Sequence, residues 1–131
     1  SDKIVFPQFF ADNPDAQHSV YSSENGTYAR GCGLDKIEMS WGHDEYMHMV
    51  AKDYLPEPAL YMIRYHSFYA AHREGEYQHL MTYHDRELFK WVRAFNPYDL
   101  YSKSPTPPDV NALRPYYEDL IAEFFPAQVA W

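Results

Sequence analysis

Apolar residues recur at helical spacing along much of this chain, and three of the resulting stripes each include one side chain able to bind a metal. These side chains are His43, His66 and Asp99. Their apolar neighbours at steps of three and four residues are Met39, Tyr46, Met47 and Val50; Ala59, Met62, Ile63 and Ala70; and Leu88, Val92 and Phe95. Such steps place residues on one helix face. Because an unpaired charge in a core is costly, we predict that the three side chains converge on an interior metal site.

Capping and turn residues predict the boundaries of the helices. The pattern predicts helices over residues 35–53, 56–72 and 109–125, a short helical piece over 77–83, and a helix that starts near residue 85. Asp35 and Glu38 have capping-box spacing, and prolines 56 and 58 fit a first helical turn. Pro97 must kink or break its helix; if the helix breaks, Asn96 caps a new short helix that holds Asp99. The predicted class is all-α.

The remaining segments lack a sustained period. Residues 1–33 are predicted to be irregular coil, with a short extended piece over 4–6, and residues 104–108 form a proline-rich extended loop. The last helix is predicted to bury its apolar side, which consists of Leu113, Tyr116, Tyr117, Leu120, Ile121 and Phe124.

Composition limits the classes of function. The 131 residues suffice for one small domain. The formal charge of −8 and the absence of a basic patch argue against a nucleic-acid binder. The apolar stretches are too short for a membrane span, and no signal peptide is recognisable at the start. The single cysteine, Cys32, cannot form an internal disulfide, so we expect a reducing compartment, the cytoplasm.

The histidines have simpler interpretations that the pattern leaves open. His43 and His48 are five residues apart rather than four, so they do not form the paired-histidine motif of zinc proteases. A histidine on an apolar helix face is more often a core residue bonded to the backbone. In this interpretation the neighbouring Asp44 and Glu45 are solvated. Three further histidines are predicted to lie at the surface: His72, His79 and His84. Arg64 is predicted to be a surface residue in a salt bridge. Two histidines and a carboxylate are nevertheless the ligands of many non-haem iron sites.

Several long motifs resemble the myo-inositol oxygenase family. They comprise residues 40–47, 61–69, 95–101 and 113–117, supported by residues 13–15, residues 31–35 and the final Trp131. Their order and spacing also fit, and the likeness runs from end to end of the chain. It covers only the C-terminal part of the family's chain.

The resemblance implies an all-helical, HD-domain-like fold with two irons, and oxidation of myo-inositol by dioxygen to D-glucuronate through cleavage of a ring carbon–carbon bond. By resemblance, His43 and His66 bind the iron that also takes the inositol hydroxyls, and Asp99 binds the other iron. Ser67, beside His66, is implied to hydrogen-bond the substrate. Asp44 follows His43, but its context does not match the family's bridging aspartate, so that role is not assigned to it.

The family's remaining ligands belong to an N-terminal region that this chain does not contain. We therefore expect the 131 residues to be the C-terminal part of a larger single domain, inactive alone and packed against the missing region. The stripes facing that region should leave a large apolar patch exposed. Two alternatives remain: a non-catalytic helical remnant that acts through protein contacts, and a single-iron oxygenase in which His43, His66 and Asp99 form a facial triad.

Overall fold

The computed structural model describes residues 6–100 and 106–129, and this part of the chain is helical without a strand, which confirms the all-α class. The α-helices are α1 (His43–Ala51), α2 (Glu57–Tyr65), α3 (Tyr69–His72), α4 (Tyr83–Leu100) and α5 (Val110–Phe124). Short 3₁₀ turns span Pro7–Phe10, Pro14–Gln17 and Leu34–Lys36. No helix in the described ranges is long and apolar enough to cross a bilayer. The predicted extended piece over 4–6, the loop over 104–108 and Trp131 lie wholly or partly outside the described residues.

The core lies where α2 packs between α1 and α4, with α3 also against α4. Its buried members are Leu34, Ile37, Tyr65, Ala71, Leu80, Met81, Phe89 and Val92. The rings of Tyr65 and Phe89 join α2 to α4 with centroids 5.6 Å apart. Full burial of a large apolar side chain is worth about 1.5–3 kcal/mol, so this cluster is the main stabilising feature that positions α2.

The first helix is shorter than predicted. Asp35 lies in a 3₁₀ turn rather than in α1, which begins only at His43. The N–H groups of Gly31 and Gly33 donate to the carbonyls of His79 and Leu80, at 2.8 and 2.9 Å. These long-range bonds hold the chain in a non-helical course before α1, so the prediction of a helix from Asp35 and of a stripe that includes Met39 was wrong.

The second predicted helix is divided in two. Helix α2 ends at Tyr65 and α3 begins at Tyr69. Between them, Phe68 has φ −81° and ψ 58°, and the N–H of Tyr69 donates to the carbonyl of Ser67 at 2.9 Å. This is an inverse γ-turn, which apolar periodicity does not reveal.

Helix α4 starts two residues before the predicted position and continues through Pro97. A capping box starts it: the hydroxyl of Thr82 accepts the Asp85 N–H at 3.1 Å, and the Asp85 carboxylate accepts the Thr82 N–H at 2.6 Å. The short helix predicted over 77–83 is a series of turns instead, with Tyr77 at φ 60°. Because α4 is unbroken, Asn96 caps no new helix, and Asp99 lies in the last turn of α4.

The last helix confirms its predicted bounds but not its predicted burial. The side chain of Asp109 caps α5 by accepting the N–H groups of Asn111 and Ala112, each at 3.1 Å. The side of α5 that was predicted to be buried is largely exposed to solvent. The exposed fractions are 40% for Leu113, 59% for Tyr116, 55% for Tyr117, 58% for Ile121 and 37% for Phe124. The prediction that this apolar face is buried was therefore wrong for this chain, because the described residues leave most of the face exposed.

Candidate metal-binding site

His43 and His66 face each other across the junction of α1 and α2. His43 is the first residue of α1, and His66 follows the last residue of α2. Their Nε2 atoms lie 3.1 Å apart, and the ring planes meet at 65°. The structure thus brings together two side chains that are 23 residues apart in the sequence.

The tautomer of His66 follows from its other ring nitrogen. Nδ1 lies 2.7 Å from the carbonyl oxygen of Ile63, which can only accept a hydrogen bond. Nδ1 must therefore carry a proton and donate. In the neutral ring this leaves the Nε2 lone pair directed at His43, the arrangement that backbone carbonyls impose on metal-binding histidines.

The separation of the pair suits two ligands of one metal ion. With metal–imidazole distances of about 2.1 Å, two ligands at right angles lie about 3.0 Å apart, close to the 3.1 Å between the Nε2 atoms. Without a cation, one of the two nitrogens has to donate a proton to the other. Borderline imidazole donors suit iron, zinc or copper, so the residues present fit part of an iron site.

Asp99 does not join this pair. Its carboxylate accepts a hydrogen bond from the Tyr69 hydroxyl at 3.2 Å. In the part of the chain that the structure describes, no three His, Cys, Asp or Glu side chains are grouped to hold a metal ion. The predicted convergence of three side chains on one point, and with it the single-iron triad, was therefore wrong. The role of Asp99 as ligand of a second iron stays a prediction.

The expected burial of the pair also needs correction. His43 is exposed and His66 is half-buried, because α1 begins at His43 and does not extend back to Met39. The pair therefore opens to the surface of this chain instead of lying in its interior.

Ser67 binds the residue next to His43. Its hydroxyl donates to a carboxylate oxygen of Asp44 at 2.5 Å, and the second oxygen accepts the Glu45 N–H at 2.9 Å. Burial raises the pKa of Asp44, but the hydrogen bonds from Ser67 and the backbone outweigh it and keep that pKa below its usual value. Asp44 is thus an anchored anion, not the solvated residue of the simpler interpretation.

Gly42 leaves room for this carboxylate. It lies outside α1 as the residue before it, and a Cβ atom placed on it would be 2.8 Å from Oδ1 of Asp44. That distance is far inside ordinary contact, so any larger residue would displace the Asp44 side chain.

An ion pair fixes α1 against α2 near the histidines. Arg64 donates to both carboxylate oxygens of Glu45, at 2.7 and 2.9 Å. Both side chains are about 15% exposed, at 14% and 16%, so Glu45 is not solvated and Arg64 is not a surface residue. Each lies two positions from a histidine of the pair. Sequence reasoning missed this link because the two residues are far apart in the chain.

A groove of about 910 Å³ adjoins Ser67 and Asp44. Its other walls come from residues 21–28, 37–40 and 76–80. Hydroxyl, amide and carboxylate side chains share the lining with the apolar Ile37, Met39, Phe68 and Leu80, and the four carboxylates disfavour an anionic ligand.

A helical fold that aims two imidazoles at one point defines a candidate metal-binding protein, and comparisons with known proteins narrow the class. A model of the myo-inositol oxygenase family matches residues 1–131. Inositol oxygenase 4 of Arabidopsis thaliana is 48% identical over 97% of this chain, and the human inositol oxygenase is 51% identical over 93%. The Dictyostelium discoideum inositol oxygenase is 48% identical over 97%. The chain belongs to the myo-inositol oxygenase family, which confirms the resemblance.

The chain spans well under half the length of these relatives. The matched region is 41% of the Arabidopsis chain and 44% of the human and Dictyostelium chains. The activity of a whole family member therefore does not transfer directly to these 131 residues.

Proposed function

We propose that this chain supplies one part of the iron site of an inositol oxygenase. The observation that carries the proposal is the His43–His66 pair, with its 3.1 Å separation and the tautomer set by Ile63. In this proposal the pair holds one iron, and Asp99 contributes to a second. The substrate is myo-inositol, and with dioxygen it yields D-glucuronate and water by cleavage of one ring carbon–carbon bond.

Iron, when bound, supplies the activation of dioxygen and coordination of the inositol hydroxyls. The residues of this chain bind and orient. His43 and His66 present lone pairs, and Ser67 lies beside them with a hydroxyl that can turn from Asp44 to a substrate hydroxyl. Asp44 is well placed to accept a hydrogen bond from the same substrate, because its carboxylate lines the groove with Ser67.

Two imidazoles are too few protein ligands for a metal site of this kind. We therefore propose that the other ligands come from the rest of the family's domain, N-terminal to the part matched here. The exposed apolar face of α5 supports this, since such a face is normally covered. In this proposal the 131 residues alone do not convert inositol.

Metal analysis and complementation test the proposal. The chain is loaded with Fe²⁺ without oxygen, alone and mixed with the part of a relative's chain that it does not cover, and myo-inositol and dioxygen are then added. We expect glucuronate formation from the mixture only, and at least a tenfold loss of both iron retention and activity with His43→Ala. His18→Ala, an exposed histidine in the N-terminal coil, is the matched control and should change neither. A folded mixture that retains no iron contradicts the proposal.

The second candidate is a non-catalytic protein that acts through contacts of its apolar surface. The exposed aromatic and aliphatic side chains of α5 favour it. It predicts that the chain associates with the remaining region equally well with and without His43→Ala, and that neither form retains iron.

A further inference from the structure

His72 is a buried histidine whose side chain holds the backbone of the metal-binding candidate His66. It is 7% exposed and therefore not the surface residue predicted from the sequence. Its Nε2 lies 2.8 Å from the carbonyl oxygen of His66. Because a carbonyl only accepts, Nε2 of His72 carries the proton and donates.

This carbonyl belongs to the peptide that joins His66 to Ser67. A peptide unit is planar, so fixing the direction of the His66 carbonyl also fixes the plane from which Ser67 departs. The N–H of His66 donates to Met62 at 3.0 Å, and its ring donates to Ile63 at 2.7 Å. The bond from His72 completes the set that holds the His66 ring towards His43 and the Ser67 hydroxyl towards Asp44.

The local chain alone does not impose this direction. Carbonyls in the last turn of a helix lack intrahelical partners, and α2 ends at Tyr65. The γ-turn at Phe68 then reverses the chain so that α3 carries His72 back to the end of α2. The Phe68 N–H donates to the Tyr65 carbonyl at 3.0 Å and restricts the His66–Ser67 peptide locally, and His72 adds a direct bond to the carbonyl oxygen of that peptide.

His72 is itself tied to the core. The Arg93 side chain on α4 donates to the His72 carbonyl at 3.3 Å and lies over the Phe89 ring, 6.0 Å from its centroid. Phe89 is fully buried. A continuous set of contacts therefore runs from the core of α4 through His72 to His66, and it ends at the imidazole pair.

We propose that His72 is a positioning residue: its Nε2–H sets the orientation of the His66–Ser67 peptide and thereby aims the His66 imidazole and the Ser67 hydroxyl at the site. The inference deepens the proposed function and rests on it for the identity of the ligand. The orientation of His66 itself can be measured without any metal.

The experiment compares His72→Gln with His72→Asn in the full 131-residue chain. Glutamine can place an amide N–H near the position of Nε2, whereas asparagine is too short to reach the His66 carbonyl. Ring ¹⁵N NMR reports the tautomers of His66 and His72 in the metal-free chain, and titration with Co²⁺ alone reports the affinity of the pair. His84→Gln, an exposed histidine bonded to Glu57 at 2.8 Å, is the control.

In the unaltered chain we expect the Nδ1–H tautomer for His66 and the Nε2–H tautomer for His72. With His72→Asn the His66 ring should shift towards a mixture of tautomers. Co²⁺ should bind about tenfold more weakly, which is a typical effect of removing a hydrogen bond that orients a metal ligand. With His72→Gln the His66 ring should keep its Nδ1–H tautomer, and the Co²⁺ affinity should stay within about threefold of that of the unaltered chain. Both results are expected even if the two variants unfold at a lower temperature.

Three results separate the possible failures. If His72→Asn lowers stability but leaves the His66 tautomer and Co²⁺ affinity unchanged, His72 is only structural and the inference is overturned. If the unaltered chain shows His72 with its proton on Nδ1, the inference fails whatever the variants do. If no chain binds Co²⁺ but the His66 tautomer responds to His72→Asn and not to His72→Gln, the metal site is wrong and the positioning role stands.

Discussion

At the scale of single residues, Asp85 joins the elements that surround the core. It is 2% exposed, and its carboxylate accepts hydrogen bonds from the Tyr61 hydroxyl at 2.6 Å and from the Leu34 N–H at 3.4 Å. It also accepts both the backbone and hydroxyl donors of Thr82. One charged group thus connects the 3₁₀ turn before α1, the middle of α2 and the start of α4.

Because of Asp85, the free energy of unfolding of the chain should depend on pH in the acidic range. Burial raises its pKa, but the hydrogen bonds from Thr82, Tyr61 and Leu34 outweigh this and hold the pKa below its usual value. A carboxyl group whose pKa is lower in the folded state than in the unfolded chain stabilises the fold at pH values above its unfolded-state pKa, which is about 3.9 for aspartate. That stabilisation is lost as the pH falls through the folded-state pKa.

Asp85→Asn tests this by chemical unfolding at several pH values. We expect it to lower the free energy of unfolding by about 2 kcal/mol at pH 6, because an amide nitrogen would face donors. The difference should shrink as the pH falls below about 3.9, where the aspartate of the unfolded chain takes up a proton, and it should be smallest below the lowered folded-state pKa of Asp85. Asp12→Asn, at an exposed position, should stay within about 0.5 kcal/mol. A difference that is constant from pH 6 to pH 3 would show that the charge is not involved.

At the scale of elements, the site depends on how α1 is held against α2. The two histidines lie at helix ends, where local hydrogen bonding alone gives little rigidity. The ion pair between Glu45 and Arg64 connects the two helices and is largely shielded from water. A bidentate, shielded pair of this geometry is worth more than an exposed one.

A double-mutant cycle measures this connection. Glu45→Gln and Arg64→Gln, singly and together, should give a coupling energy of about 1–2 kcal/mol in chemical unfolding. The control cycle is Arg114 with Glu118 on α5, a pair four residues apart with side chains 72% and 66% exposed, where we expect about 0.3–0.5 kcal/mol. Equal coupling in the two cycles would refute a special role for the pair between α1 and α2.

At the scale of the whole molecule, the chain has a compact core around α2 and α4 and an uncovered apolar face on α5. The ring of Phe125 contacts Tyr54 beyond the end of α1, with centroids 5.4 Å apart. The residues of the α5 face remain exposed. The proposed cover is the part of the family's domain that these 131 residues do not include.

Ile121→Glu tests what this face does. Because Ile121 is 58% exposed, the substitution should change the stability of the chain alone by less than about 0.5 kcal/mol. In a mixture with the remaining region it should weaken association at least tenfold, measured by light scattering after size-exclusion chromatography. Ala122→Glu adds the same charge at an exposed position about 100° around α5 from Ile121 and outside the apolar face, and it should leave association unchanged. Equal effects of both variants would remove α5 from the interface.

Local patterns in the sequence were sufficient to predict the helical class, the bounds of α5 and the family. Helical periodicity and the Asp109 cap are local, because their hydrogen bonds join residues a few positions apart. Long motifs such as residues 40–47 and 61–69 identify the family without any coordinates.

The start of α1, the end of α2 and the pairing of polar groups depend instead on contacts between distant parts of the chain. The bonds of Gly31 and Gly33 to residues 79 and 80 overrode a helical pattern, and the roles of Glu45 and His72 came from partners that periodicity does not report. His43 and His66 are close together because α1 packs on α2, whereas the Asp99 carboxylate accepts a hydrogen bond from the Tyr69 hydroxyl. Periodicity reports which face of a helix is apolar; the distance between two faces is set by the contacts that bring the helices together.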